Sequence, residues 1–452
     1  MDKNENTRLA EKIAAAVDRA GGTVYYVGGY VRDMLMGEDN KDIDIEVHGV
    51  APEKLTEILG EFGEIISIGQ SFGVYALKGY SIDIAVPRKE KAVGKGHKDF
   101  EISVDSFLGV ENAAKRRDFT VNAIMQNVLT GEIIDPFSGC RDLEKKVLRH
   151  VCDESFPEDP LRVMRAAQFA ARFEFSLAEQ TAEICKKIPL DTLSRERIEG
   201  ELKKALLKAE KPSIFFETLR KTDALDYWFP EVKALIAVEQ NEKYHKEGDV
   251  WTHTMMVLDN AVKYRERVQN PFGFMLAALT HDFGKTVATR VTDGVAHAYG
   301  HETAGLPIAE KFLKRLTNET RLIEYVLNLT ELHMKPNVAA RDRVKRRTTN
   351  RLFDRAVDPE ALIFLGLCDS LGKIPVQPPE DTEKFLFHRL RVYRETMAKP
   401  FVAGKDLINA GLTPNKNFSE ILSFAHKLRL AGIEKQDALI QTLAYARKTP
   451  KE

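Results

Sequence analysis

Short apolar runs broken by turns alternate with amphipathic stretches over residues 1–150: TVYYV at 23–27, VRDMLM at 31–36, IDIEV at 43–47, VYALKGYSIDIAV at 74–86 and GEIID at 131–135. Apolar side chains at every second position mark half-buried strands, and spacings of three and four mark helices. After residue 150 the period changes. PLRVMRAAQFAARF and RERIEGELKKALL read as helices with few turn signals through residue 235, and further helices carrying most of the histidines span 236–372. The Pro-rich KIPVQPPED at 373–381 reads as a linker, and a last helical segment fills 382–452. The expected fold class is α+β: a head with a mixed sheet and helices, followed by all-α regions, with no internal repeat.

A chain of 452 residues exceeds what one core usually supports, so two to four packed units are expected. The hydrophobic share of 43% and charged share of 30% match an ordinary globular protein, and no stretch is apolar enough to span a bilayer. The first residues lack the apolar block of a secretory signal, which places the chain in the cytoplasm, away from membranes. Cys140, Cys152, Cys185 and Cys368 show no paired spacing and read as reduced packing residues. A net charge of −1 leaves any nucleic-acid contact to local clusters. The densest, RDRVKRRTTNRLFDR at 341–355, carries seven Arg or Lys in fifteen residues and reads equally as a solvated helix face or as an RNA phosphate contact.

In KDIDIEV, Asp42 and Asp44 fall two apart, and a strand sends such residues to one face. Two hard oxygen ligands suit Mg²⁺, although an acidic exposed strand face would read the same. Gly28 and Gly29 follow the first strand and open a helix, where backbone N–H groups can hold a triphosphate; Arg32, one turn on, can grip the same phosphates. Asp83 in SIDIAV lies in another apolar strand. If that strand neighbours the first, Asp83 completes a carboxylate triad able to help deprotonate an attacking hydroxyl; otherwise it is a strand-edge acid.

Further on, EDPLRVMR spaces Asp159, Arg162 and Arg165 at i, i+3 and i+6, close to one helical face, compatible with a surface ion pair. An acceptor beside a donor also matches the edge that cytosine and adenine share and opposes uracil and guanine. His253, His281, Asp282, His301, His333 and Asp369 recur through the histidine-rich helices. A lone helical histidine is usually a core residue, whereas an adjacent His-Asp inside FMLAALTHDFGK is hard to bury without a shared partner such as a divalent metal.

The run GGYVRDMLMGEDNKDID closely resembles the signature of the polymerase-β-like nucleotidyltransferase superfamily, in its branch of class II tRNA nucleotidyltransferases and bacterial poly(A) polymerases. RRDFTVNAI at 116–124, DPFSGCRDL at 135–143, the EDxxR stretch and RERIEGELKKAL follow in that family's order. The resemblance implies that Arg117 and Asp118 hold the incoming sugar with support from Asn122, and that Asp159 and Arg162 read the base with Arg165 nearby. Gln168 stands where some relatives continue the arginine series. The middle region resembles the HD phosphohydrolase superfamily, implying His253, His281, Asp282 and Asp369 as ligands of an unidentified divalent metal, with His301 and His333 for a second metal or a phosphate. The combination implies addition of C and A to a tRNA 3′ end from CTP and ATP, with Mg²⁺ at the head, RNA rather than DNA as partner, and phosphatase or 2′,3′-cyclic phosphodiesterase chemistry behind it. Two alternatives stay open: a poly(A) polymerase or A-only enzyme, and an HD phosphohydrolase with a non-catalytic head. The tail, 382–452, is similar to the family's C-terminal helices and reads as an RNA contact or a capping bundle.

Overall fold

TVYYV forms strand β1 (Thr23–Val27), and after helix α2 (Gly29–Leu35) the run IDIEVH forms β2 (Ile43–His48), antiparallel to β1. The computed structural model describes residues 3–40, 42–69, 73–92, 100–243, 245–376 and 380–448. Strands β3 (Ile65–Gly69), β4 (Val74–Leu77) and β5 (Ile82–Ala85) extend the sheet beyond β2. A separate hairpin, β6 (Arg88–Ala92) with β7 (Phe100–Val104), precedes β8 (Met125–Asn127) and β9 (Ile133–Ile134), which extend the sheet beyond β1. The order is β3-β4-β5-β2-β1-β8-β9, and β2 and β5 run parallel among otherwise antiparallel neighbours. The expected mixed sheet is present.

Alternation then divides the sheet into two chemistries. Val24, Tyr26, Ile43, Ile45, Val47, Ile82 and Ile84 face helices α1 (Lys3–Arg19) and α3 (Pro52–Gly60) in one buried cluster with Ile13, Val17, Leu55 and Leu59. The interleaved Asp44, Glu46 and Asp83 must therefore point to the other face. That core fixes the register, because a slip of one residue would bury the acids. Helices α4 (Leu161–Phe173) and α5 (Arg195–Lys208) pack together in the same unit, which comprises Met1–Ala209 and Ile214–Trp228.

The second unit, Glu210–Ser213 and Phe229–Glu452, is helical. Its helices α6 (Val250–Ala261), α7 (Pro271–Thr280), α8 (Thr320–Leu332), α9 (Met334–Arg341), α10 (Arg346–Arg355) and α11 (Pro359–Leu371) surround a buried centre, with a small hairpin of β10 (Arg290–Thr292) and β11 (Val295–His297). Phe272–Thr280 and Ala361–Asp369 are buried on every side, so α7 and α11 are central helices. The tail adds α12 (Glu380–Ala398), α13 (Phe418–Ala431) and α14 (Lys435–Lys448). Residues 377–379 of the expected linker and 449–452 of the tail lie outside the described residues. Among the described residues, no helix is long and apolar enough to cross a membrane.

Candidate active sites

In the head, β2 and β5 pair in parallel with Asp44 directly opposite Asp83, and Asp42 lies two residues before Asp44. The adjacency on which the third acid depended is therefore present. Asp44 is partly buried and its carboxyl is pushed up to about 6, first by burial and then by the charges of Asp83 and Asp42, with Arg117 opposing. Crowded carboxylates that resist ionising together are a donor set suited to a divalent cation. Two residues further along the same face, Glu46 is buried and receives His48 Nε2 at 2.8 Å and Arg117 Nη2 at 3.3 Å. Burial works to raise the Glu46 carboxyl, but the His48 hydrogen bond and the Arg117 charge hold it below its ordinary value.

Gly28 closes this site from above. Its φ of 66° favours glycine, and a Cβ there would stand 3.0 Å from Arg117 Nη1 and 3.7 Å from Asp44 Oδ2. The turn thus brings backbone, the Arg117 guanidinium and the Asp44 carboxylate within one small space.

In the helical unit, imidazoles converge on Asp282. His281 Nδ1 donates to the carbonyl of Ala278 at 2.8 Å, His301 Nδ1 to Ala298 at 2.8 Å, and His333 Nδ1 to Thr330 at 2.7 Å. His253 Nδ1 is shared between Glu247 Oε1 and the Gly372 carbonyl, both at 3.1 Å. These bonds assign the proton to Nδ1 and leave each Nε2 with a lone pair. Those lone pairs face acceptors: His281 Nε2 lies 3.2 Å from Asp282 Oδ2, His253 Nε2 3.1 Å from Asp369 Oδ1, His301 Nε2 3.2 Å from Asp282 Oδ1, and His301 Nε2 3.3 Å from His333 Nε2.

Acceptors opposed in a dry interior repel unless protons or cations lie between them. His253 and His301 are indeed raised, burial opposing but Asp369 and Asp282 prevailing, while burial and the neighbouring His281 press His333 down to about 3. Among the described residues, His281 Nε2 and Asp282 Oδ2 are buried with no hydrogen-bond partner, although Lys285 Nζ forms an ion pair with Asp282 Oδ2 at 2.7 Å. Ligand atoms of His253, His281 and Asp369, and separately of Asp282, His301 and His333, lie close enough for a shared ion. The donor set fits a divalent metal, which His253, His281 and Asp369, or Asp282, His301 and His333, would hold.

Local sequence explains the convergence. His281 and His333 follow the last residues of α7 and α8, and a Cβ on Gly284 would lie 1.9 Å from the His301 carbonyl, so only glycine lets the His281–Gly284 turn reach the His301 helix.

The chain matches the family described as the poly A polymerase head domain over residues 24–149, the probable RNA and SrmB-binding site of polymerase A over 174–236, and the HD domain over 250–371. A multifunctional CCA protein of Actinobacillus pleuropneumoniae is 36% identical over 317 residues, covering 69% of this chain and 75% of the relative. One from Shewanella frigidimarina is 35% identical over 355 residues, covering 76% and 82%. The chain belongs to the tRNA nucleotidyltransferase and bacterial poly(A) polymerase family. The Thermotoga maritima CCA-adding enzyme complexed with tRNA shares the fold at 22% identity and TM-score 0.64, over 97% of this chain and 95% of that one. The Bacillus stearothermophilus CCA-adding enzyme in complex with CTP does so at 21% identity and TM-score 0.64, over 97% of each chain.

Within this nucleotidyltransferase, several residues named from the sequence make contacts in the fold that their spacing does not reveal. Arg32 does not face open phosphate space. It is buried beneath the site, where its guanidinium donates to Asp33 and, at 2.6 Å, to Asn122 Oδ1, and lies over the rings of Phe169 and Phe173. Asn122 passes the chain on to Asp118 at 2.9 Å, and Arg165 Nε meets the other oxygen of Asp118 at 2.7 Å. Asp118 is buried and held below its ordinary range, burial opposing and Arg165 winning. Arg32, Asn122, Asp118 and Arg165 thus form one supporting network rather than a set of free ligands.

Asp159 does not lie on the helix that carries Arg162 and Arg165. Pro160 fixes the first turn and forces the preceding residue to extend, so α4 begins at Leu161 and Asp159 Oδ1 receives the Leu161 N–H at 3.1 Å. Arg162 turns away, donating to the carbonyls of Ser155 and Arg116 at 2.8 and 2.7 Å. Arg197 of α5 takes its place, with Nη2 at 2.9 Å from both Asp159 oxygens. Gln168 is buried in α4. Lys373 and Ile374, read as linker, belong to the HD site: Lys373 Nζ reaches Asp369 Oδ2 at 2.9 Å, and the Ile374 N–H donates to Glu247 at 2.9 Å.

Sequence reasoning missed Glu46, Arg197, His245, Glu247, Lys285 and Lys373. His245 and Glu247 sit in HKEGDVWTH, eight and six residues before His253, where their spacing was the available signal. The basic cluster divides its labour. Arg346 donates to Thr396 and Arg355 to Glu331, both at 2.6 Å, which ties part of it into packing.

Proposed function

We propose that this enzyme, in the cytoplasm, adds C and A to the 3′ end of tRNA without a nucleic-acid template, using CTP and ATP to build or repair the CCA terminus. The observation that carries the reading is the pairing of Asp44 with Asp83 across parallel strands, beside Asp42 and opposite Arg117, in a chain whose relatives are multifunctional CCA proteins. The RNA 3′-hydroxyl attacks the α-phosphorus, the new P–O bond forms in line with the one that breaks, and pyrophosphate leaves. Asp42 and Asp44 would hold Mg²⁺, whose charge, when bound, acidifies the hydroxyl and neutralises the phosphates. Asp83 assists removal of the hydroxyl proton, and Arg117 faces the triphosphate at the Gly28 turn. Asp159, anchored by Arg197, accepts from the exocyclic amine that cytosine and adenine share.

In the same proposal the HD cluster removes a terminal phosphate, or opens a 2′,3′-cyclic phosphate, and so supplies the free hydroxyl the head requires. Lys285 and Lys373 stand beside its carboxylates, where they can meet the phosphate oxygens. A four-part division into head to 150, neck to 235, HD region to 372 and RNA-contacting tail from 382 follows this division of roles. The test is Asp42→Ala with Asp44→Ala. Incorporation should fall about a thousandfold, the scale of lost electrostatic stabilisation, while phosphohydrolysis persists. Unchanged incorporation would overturn the proposal in favour of a head that only binds.

A further inference from the structure

Two cavities meet at the HD centre. One, of about 720 Å³, is lined by Asp282, His301, Asp369, Lys285 and Lys373, with Tyr299 also in its wall. The other, of about 530 Å³, is predominantly apolar, walled by Tyr299, Met334, Val338 and Leu352. They share Ala298, Tyr299, His301 and Met334, so a ligand bound by its phosphate at the metal cluster has the apolar pocket directly beside it. Tyr299 lines both cavities. It is 85% exposed, a costly position for an aromatic ring, and its ring lies parallel to that of His297, with centroids 5.4 Å apart and 9° between planes. Lys335, Arg351 and Arg355 also line the apolar pocket, Arg355 with its guanidinium on Glu331.

We propose that this second pocket is a nucleobase subsite: it seats the base of the RNA's terminal nucleotide while that nucleotide's phosphate lies at the HD cluster. The inference rests on reading the cluster as a phosphohydrolase. An apolar slot with an exposed aromatic edge suits a planar base, its volume falls in the range of small-molecule sites, and the adjoining cations suit the polyanionic strand that follows. A bare phosphate ester would leave the slot empty. The HD centre is thereby specific for nucleotide ends rather than for phosphate esters at large.

The test uses the full chain, with Tyr299→Ala, which removes an exposed ring, and Val338→Trp, which fills the slot. In metal-free protein, calorimetry compares adenosine 3′-monophosphate with glycerol phosphate. In Mn²⁺-loaded protein, hydrolysis of adenosine 2′,3′-cyclic phosphate is compared with that of glycerol 1,2-cyclic phosphate. Both substitutions should lower the ratio of nucleotide to glycerol kcat/KM about tenfold or more, through KM, and weaken binding of the nucleotide alone. Hydrolysis of both esters with an unaltered ratio overturns the base subsite and leaves the phosphohydrolase standing. Hydrolysis of neither ester by the parent protein overturns the phosphohydrolase reading, and the subsite with it.

Discussion

Asp44 shows what a single residue's surroundings add to its identity. In the sequence it is one half of a common strand pattern; in the fold it faces Asp83, and burial beside that charge raises it to about 6. The histidines of the second unit were legible for a related reason, since imidazole is scarce and its grouping is seldom accidental. Glu247 and Arg197 were not legible, because Glu and Arg are common and their partners lie far along the chain. Asp159 and Arg197 are 38 residues apart, and only the packing of α4 on α5 brings them together. Arg197→Ala should therefore free the Asp159 carboxylate and lower the preference for CTP over UTP about 10- to 100-fold, as expected for one bidentate contact of roughly 1–3 kcal/mol. Primer extension with each nucleotide measures it, and an unchanged preference would leave Asp159 positioned by other means.

Elements were more legible than their junctions. The strands β1, β2 and β5 fall where alternation puts them, because one face had to be apolar for the sheet to bury anything. The i, i+3, i+6 spacing of Asp159, Arg162 and Arg165 does not hold at the start of α4, because proline belongs at the first turn and its predecessor outside it. Nor did the sequence reveal that Arg32, Asn122, Asp118 and Arg165 would join α2, the Thr120–Asn122 turn and α4 in one network. Its acid sensitivity follows from the sign of one shift. Asp118 titrates below its ordinary 3.8 in the fold, so it contributes stability above about pH 4 that is lost as pH falls through its folded value. Asp118→Asn should be less stable near neutrality and should lose less stability than the parent between about pH 5 and about pH 3. Urea unfolding at the two pH values measures both; equal losses would show that Arg165 does not depend on this carboxylate.

At the scale of the whole molecule, the chain divides into two compact units, one presenting strand carboxylates at Asp44 and Asp83 and the other imidazoles around Asp282 that could hold a metal ion. In the helical unit, Lys285 and Lys373 pair with Asp282 and Asp369, and a divalent cation would add a ligand partner for the crowded imidazole nitrogens. A divalent metal at about a hundred times its dissociation constant should raise that unit's stability by about 2.7 kcal/mol, and His281→Ala should remove the gain. Thermal unfolding with and without chelator reports it, and a melting temperature indifferent to metal would contradict the site. The central claim, CCA addition, is tested most directly by supplying labelled CTP and ATP separately to tRNAs that end before the first C, after it, and after CC. The account predicts C, then C, then A, followed by a stop; open-ended A addition to any RNA would contradict it and mark a poly(A) polymerase.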